Sequence, residues 1–264
     1  TVTAIAAEHS SLHDCEGATI NGCSFGDWEG GTMTRSRGIR LIFQQNILIT
    51  GCYLSGSSVA SRAAGADALR IEDCESINIS GSTFENWAPG EGNPRCINFD
   101  GTNAKYISVT GCFFRSNGDY PINTTGMANP IEGSVFNSNT FYAGHVNEHG
   151  MWLESAIDCV ANGNAFIFAT AKVGISWGTG TSVNCVCMGN GGSNLRIYDG
   201  GGTPGNPRGY DEGNSIAAFT GIAVIQEGST SLEAGAAGVG GPGGSGNASM
   251  NAGADGLASG EQEF

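Results

Sequence analysis

One short phrase recurs along this chain and restricts its fold more than any other feature. It reads INGCSF at 20–25, ITGCYL at 49–54, ISGSTF at 79–84, VTGCFF at 109–114, FNSNTF at 136–141 and ANGNAF at 161–166, with a weaker CMGN at 187–190. The glycine-equivalent positions are 22, 51, 81, 111, 138, 163 and 189, a period of 25 to 30 residues. A unit that short cannot hide its own apolar side chains. Stacking equivalent units buries them in a continuous core, which makes the chain a solenoid.

Around each copy apolar and polar residues alternate with period two, the signature of strands. Two inward columns precede the glycine: Ala18/Ile47/Ile77/Ile107/Ser134/Cys159/Cys185 and Ile20/Ile49/Ile79/Val109/Phe136/Ala161/Cys187. A third follows it: Phe25/Leu54/Phe84/Phe114/Phe141/Phe166. The position just after the glycine holds Cys23, Cys52, Ser82, Cys112, Asn139, Asn164 and Asn190, small polar groups able to bond the equivalent backbone one coil away. No Leu-x-x-Leu-x-Leu register supports a leucine-rich repeat. The expected fold is all-β, a parallel β-helix of about seven coils, right-handed by the usual crossover rule.

These columns resemble the right-handed parallel β-helix of the pectate-lyase-like group, which includes phage tailspikes and many polysaccharide-cleaving enzymes. The resemblance covers roughly residues 10–200 and implies a surface-exposed, glycan-directed protein. It also implies a homo-oligomer, trimers being usual among tailspike-like proteins.

Composition narrows the partners. The formal net charge is −14, and Lys105 and Lys172 are the only lysines, so neither nucleic acid nor an anionic membrane suits the surface. No apolar run approaches the roughly 18 residues of a membrane helix, so membrane insertion is not expected. Nine cysteines form no metal-ligand pattern; Cys159, Cys185 and Cys187 fall in apolar columns as small hydrophobes. No metal and no cofactor are expected. The domain reading is a β-helix over 1–208, cap strands over 209–227 (including IAAFTGIAVI) and a Gly/Ala-rich tail over 228–264 with almost nothing to bury. Such a tail is expected to be ordered by oligomer contacts. The first coil has little before it, so an upstream domain or a neighbouring subunit is expected to cover that end.

A second strand series supplies the candidate site. With Leu41, Ile71, Phe99, Leu153, Trp177 and Ile197 pointing in, two columns point out. One is Arg40/Arg70/Asn98/Asn123/Trp152/Ser176/Arg196 and the other Ile42/Glu72/Asp100/Thr125/Glu154/Gly178/Tyr198. Aromatic rings stack on sugar faces while planar polar groups bond the hydroxyls, so Arg70, Asn98, Asn123, Trp152 and Tyr198 are the candidate glycan-binding residues. Glu72, Asp100 and Glu154 are the candidate catalytic carboxylates, with Asp67 and Asp73 nearby. One coil step is about 5 Å and two about 10 Å, against roughly 5–5.5 Å for a retaining and 6.5–9.5 Å for an inverting glycosidase. Repulsion within the nearer pair would raise one pKa, as a general acid requires. Lyase chemistry is poorly supplied with bases and cations.

The motif His145-Val146-Asn147-Glu148-His149 matches a zinc-protease pattern, but it occupies a turn-sized gap between strands, where the required helix has no room. Its histidines precede Trp152 and Glu154 and are possible ligand contacts. No nucleophile elbow or phosphate loop occurs, and the acid and His-Gly signatures of polygalacturonases are missing. The leading expectation is a virion-associated or secreted, tailspike- or fibre-like oligomer, packed with copies of itself or other virion subunits, that recognises a bacterial or other cell-surface polysaccharide. The alternatives are a paired-carboxylate polysaccharide depolymerase and a structural spacer or decoration protein.

Overall fold

The structure is a computed structural model that describes residues 2–8, 16–26, 36–56, 67–85, 95–115, 120–143, 150–177, 182–199, 210–212, 218–221 and 225–227. Among them the fold is all-β, with parallel strands stacked as a solenoid and no helix. Each complete turn carries one strand on each of three faces. The first face is built from Ser36–Ile42, Asp67–Glu75, Arg95–Lys105 and Ile122–Met127. The second is built from Gln45–Thr50, Asn78–Ser80, Ser108–Thr110 and Val135–Asn137. The third is built from Tyr53–Ser55, Thr83–Glu85, Phe113–Arg115 and Thr140–Ala143.

About four turns are complete, not the seven that the glycine positions imply. The corners recur, but the faces between them do not all persist. Beyond residue 143 the second face shrinks to single bridges at Val160 and Val186. In the winding before Ser36, Ala18 is exposed and Ile20 half-buried, so that rung lacks the covered core of the rest. Past residue 208 the parallel stacking continues: Ala218–Gly221 pairs with the strand Gly191–Asp199, and Tyr210–Glu212 pairs with Cys187–Met188. The tail 228–264 lies outside the described residues.

Two of the three corners are built to one pattern. From second face to third the chain turns through a left-handed residue, Gly51, Gly81, Gly111 or Ser138, with φ between 55° and 64°. The corner from first face to second uses Asn46, Ser76, Tyr106 and Gly133, equivalent in register, with φ between 55° and 58°. Three of these have side chains, which adopt that region at a cost, and the cost is met by the coil hydrogen bonds on either side. Ser76 N–H donates to Lys105 O at 3.0 Å and Tyr106 N–H to Glu132 O at 2.9 Å. The connection from third face to first, over 56–66, 86–94 and 116–121, changes length from turn to turn, and the rest of the variation in the repeat period falls in the irregular downstream halves of the first-face strands.

The expected columns form. Ile49, Ile79, Val109 and Phe136 pair in register, as do Leu54, Phe84, Phe114, Phe141 and Phe166, and all are buried. Four phenylalanine rings stack nearly parallel, with centroid separations of 5.0 Å for Phe84–Phe114, 4.8 Å for Phe114–Phe141 and 4.9 Å for Phe141–Phe166. Those distances match the spacing of neighbouring strands, about 4.8 Å. The polar column also forms a ladder. Asn139 N–H donates to Asn164 Oδ1 at 3.0 Å and Asn164 N–H to Asn190 Oδ1 at 2.9 Å. The amide nitrogens reach the other way, Asn139 Nδ2 to Val109 O and Asn164 Nδ2 to Phe136 O, each at 2.9 Å. Every buried amide is thereby bonded on both sides, which removes the cost of burying it. Cys52 N–H to Ser82 Oγ at 3.1 Å continues the pattern lower in the stack.

Candidate functional site

The first face carries the candidate site because its strands alternate as expected. Leu41, Ile71, Phe99, Leu153 and Trp177 are buried inside. Arg40, Arg70, Asn98, Asn123, Trp152 and Ser176 follow one another in parallel register on the outside. Beside them run Ile42, Glu72 and Asp100. Asp100 and Glu72 therefore occupy adjacent rungs, as expected.

The second outward column then breaks. The register shifts between Asn98 and Asp100, so Asp100 faces Gly126 and not Thr125. A β-carbon at Gly126 would lie 2.8 Å from Asp100 Oδ1, so the carboxylate lies across bare backbone. Glu154 follows the short strand Met151–Leu153, and its N–H donates to Thr124 Oγ1 at 2.8 Å. The two-rung spacing expected between Asp100 and Glu154 assumed an unbroken column, which the bulge interrupts.

Arginines separate the carboxylates. Glu72 is held from both sides, with Arg40 Nη2 at 2.9 Å from Oε1 and Arg70 Nε at 2.6 Å from Oε2. The same Arg70 reaches Asp100 through Nη2 and lies 3.8 Å from Asp67 through Nη1. The expectation that Glu72 and Asp100 repel one another across a bare rung fails, because the Arg70 guanidinium bridges them. Arg40, Glu72, Arg70 and Asp100 form a continuous row of alternating charge over three coils, with side chains 13–27% exposed. Partial burial makes these pairs firmer than surface pairs and keeps their outer edges open to a ligand.

Asn98 and Asn123 stand next in the row and are buried, at 4% and 0% exposure. Asn98 Nδ2 donates to Asp67 Oδ2 at 3.4 Å, and Arg95 Nη1 donates to Asn98 Oδ1 at 3.0 Å. The Asn123 carboxamide lies 3.2 Å from Asn98 Oδ1 and 3.2 Å from Arg95 Nη1, with Thr125 Oγ1 at 3.0 Å; it has partners in either orientation of its amide. These two amides brace the face from within and present little surface to a ligand. Trp152 is half-buried, its Nε1–H donating to Glu154 Oε2. The Tyr120 ring stands against it at a centroid distance of 4.9 Å and 61°. With its N–H committed to Glu154, Trp152 offers a ligand its ring and not its donor.

The sequence pattern did not single out Tyr120 or Arg95. Both sit at the upstream edge of a first-face strand, where period-two alternation gives no phase. For Tyr198 the structure describes the backbone, paired between Ser176 and Thr220, and not the side chain. The motif at 145–149 lies outside the described residues. No protein-family model, curated protein or solved structure matches this chain.

Proposed function

We propose that this protein binds a cell-surface polysaccharide along its first face, as a tailspike- or fibre-like component of a virion or secreted assembly. The observation that carries the reading is the row running from Arg40 through Glu72, Arg70 and Asp100 toward Trp152 and Glu154. Each member is fixed by a neighbour on the next coil or on its own strand. Rung spacing is comparable to the length of one pyranose ring, so successive coils offer hydrogen-bonding edges at intervals suited to successive sugars. Trp152, backed by Tyr120, supplies an apolar ring for one sugar face. Binding is favoured over cleavage because both oxygens of Glu72 are engaged by guanidinium groups, which weakens it as a nucleophile.

Self-association is part of the same proposal. The third face exposes Tyr53, Phe113, Tyr142 and Ile167 on one surface, an apolar set suited to another copy of the chain. Affinity electrophoresis against a panel of bacterial surface polysaccharides tests the binding. Retardation by at least one polysaccharide, lost in Trp152→Ala, is the expected result. No retardation by any member, or retardation unchanged in Trp152→Ala, sinks the reading. Reducing-end release in the same samples, with Asp100→Asn and Glu154→Gln as controls, separates binding from hydrolysis. Sedimentation of the chain with and without residues 228–264 tests assembly, and a monomer in both cases refutes it.

A further inference from the structure

We infer that the solenoid carries two inter-coil disulfide sites, Cys23 with Cys52 at its first winding and Cys159 with Cys185 where its second face thins to single bridges. The first pair follows from register: Asn21 pairs with Thr50 and Ser24 with Tyr53, so Cys23 and Cys52 hold the same position on adjacent coils. The second follows from the bridge between Val160 and Val186, which places Cys159 and Cys185 one rung apart. Cysteines on adjacent strands stand about 4.8 Å apart, inside the α-carbon range of about 4.4–6.8 Å that a disulfide spans. All four are thiols in the structure, and in each pair one sulfur reaches toward the other's coil, Cys52 Sγ donating to Ile20 O at 3.5 Å and Cys185 Sγ to Ala156 O at 3.3 Å.

The other described cysteines lack such a partner in their columns. Cys112 stands between Ser82 and Asn139, Cys74 opposite Ala104, and Cys96 opposite Ala68 between the pairs Arg95–Asp67 and Ile97–Leu69. Cys187 lies in the neighbouring column above Ala161 and pairs with Asp211. Of the four paired cysteines, Cys23 and Cys52 join the winding before the first complete turn to that turn. Cys159 and Cys185 lie where the second face is reduced to single bridges. A solenoid opens first at its ends and where a rung is held by few bonds, so cross-links at these two places oppose the first step of unwinding.

The chemistry is thiol–disulfide exchange. Two protein thiols and one molecule of a small disulfide, such as oxidised glutathione, give one protein disulfide and two small thiols. Cys23 is half-exposed and gives the oxidant an entry point. At the other end Cys159 and Cys185 are buried, at 0% and 2% exposure, so exchange there follows local opening of that rung, and the neighbouring Cys185 favours the Cys159 thiolate, the form that attacks.

The test treats the full reduced chain with oxidised glutathione under native conditions, blocks free thiols in acid and maps linked peptides by mass spectrometry. Links Cys23–Cys52 and Cys159–Cys185 are expected, with Cys74, Cys96 and Cys112 blocked as free thiols. Cys23→Ser should remove only the first link and Cys185→Ser only the second. The oxidised chain should unfold about tenfold more slowly or better than the reduced one, and a reductant should reverse the gain. Four free thiols at these positions after full exposure, or linkage that involves Cys112 or Cys187 as often, overturns the inference. The outcome is independent of glycan binding.

Discussion

Phe84 and Phe114 are buried to the same degree, at 0% and 1% exposure, and both are phenylalanine, so truncating either to Leu removes nearly the same apolar area. Phe114 stacks on Phe84 at 5.0 Å and on Phe141 at 4.8 Å. Either truncation breaks the Phe84–Phe114 stack, so a double-mutant cycle isolates that pair while the area and cavity cost of each single change cancels. Phe84→Leu with Phe114→Leu should show a coupling of about 0.5–1.5 kcal/mol, the contribution of a stacked pair beyond area. Phe84→Leu with Phe166→Leu should show almost none, because Phe114 and Phe141 lie between them. Urea unfolding followed by far-ultraviolet circular dichroism measures all the values. No coupling between Phe84 and Phe114, or a Phe84–Phe166 coupling as large as the adjacent one, would refute nearest-neighbour ring stacking as the source of the stability.

The amide ladder and the buried thiols yield two further expectations. Asn164→Ala strips Asn139 N–H of its acceptor and Phe136 O of its donor, so it should cost about 3 kcal/mol or more and selectively speed hydrogen exchange at Asn139. Asn164→Asp should rescue nothing at neutral pH, since it sets a second oxygen against Phe136 O. Burial pushes the Cys74 thiol up to about 12 and the Cys112 thiol up to about 11. Below about pH 9 these thiols are protonated whether the chain is folded or not. As pH rises beyond that, the unfolded chain releases protons that the folded chain retains, so stability is lost progressively through pH 11–12. The decline in urea midpoint between pH 8 and 11 should be shallower in Cys112→Ala than in the parent, and parallel curves would remove Cys112 as a contributor.

What the sequence disclosed follows from which constraints leave a residue-type signature. The second-to-third-face corner needs a left-handed residue and mostly uses glycine, so Gly51, Gly81 and Gly111 announce it. The first-to-second-face corner needs the same conformation but uses Asn46, Ser76 and Tyr106, of which only the asparagine type hints at φ. Counting corners overstated the coils, because a corner can persist where the strand before it has shrunk to a single bridge, as at Val160 and Val186. On the candidate face the alternation was legible, and it placed Glu72 beside Asp100. It could not show that Arg70 bridges them, since a side chain's reach along its own strand and across to the next is set by rotamers and not by period. The bulge before Asp100 was equally invisible, and it is what displaces Thr125 from the column. Asn98 and Asn123 were read as outward, which their register supports, yet burial takes their amides out of reach.

The uneven third corner has a consequence for how such a molecule diversifies. Segments 56–66, 86–94 and 116–121 each lead straight into a first-face strand, while the ladders, ring stack and left-handed corners lie elsewhere. Lengthening a loop costs little, since closure entropy grows only with the logarithm of its length. Insertions and deletions can therefore accumulate in those connections, just ahead of the strands that carry the Arg70–Trp152 row, while the ladders and ring stack keep their register. Randomised libraries aimed at new specificities belong in those three stretches.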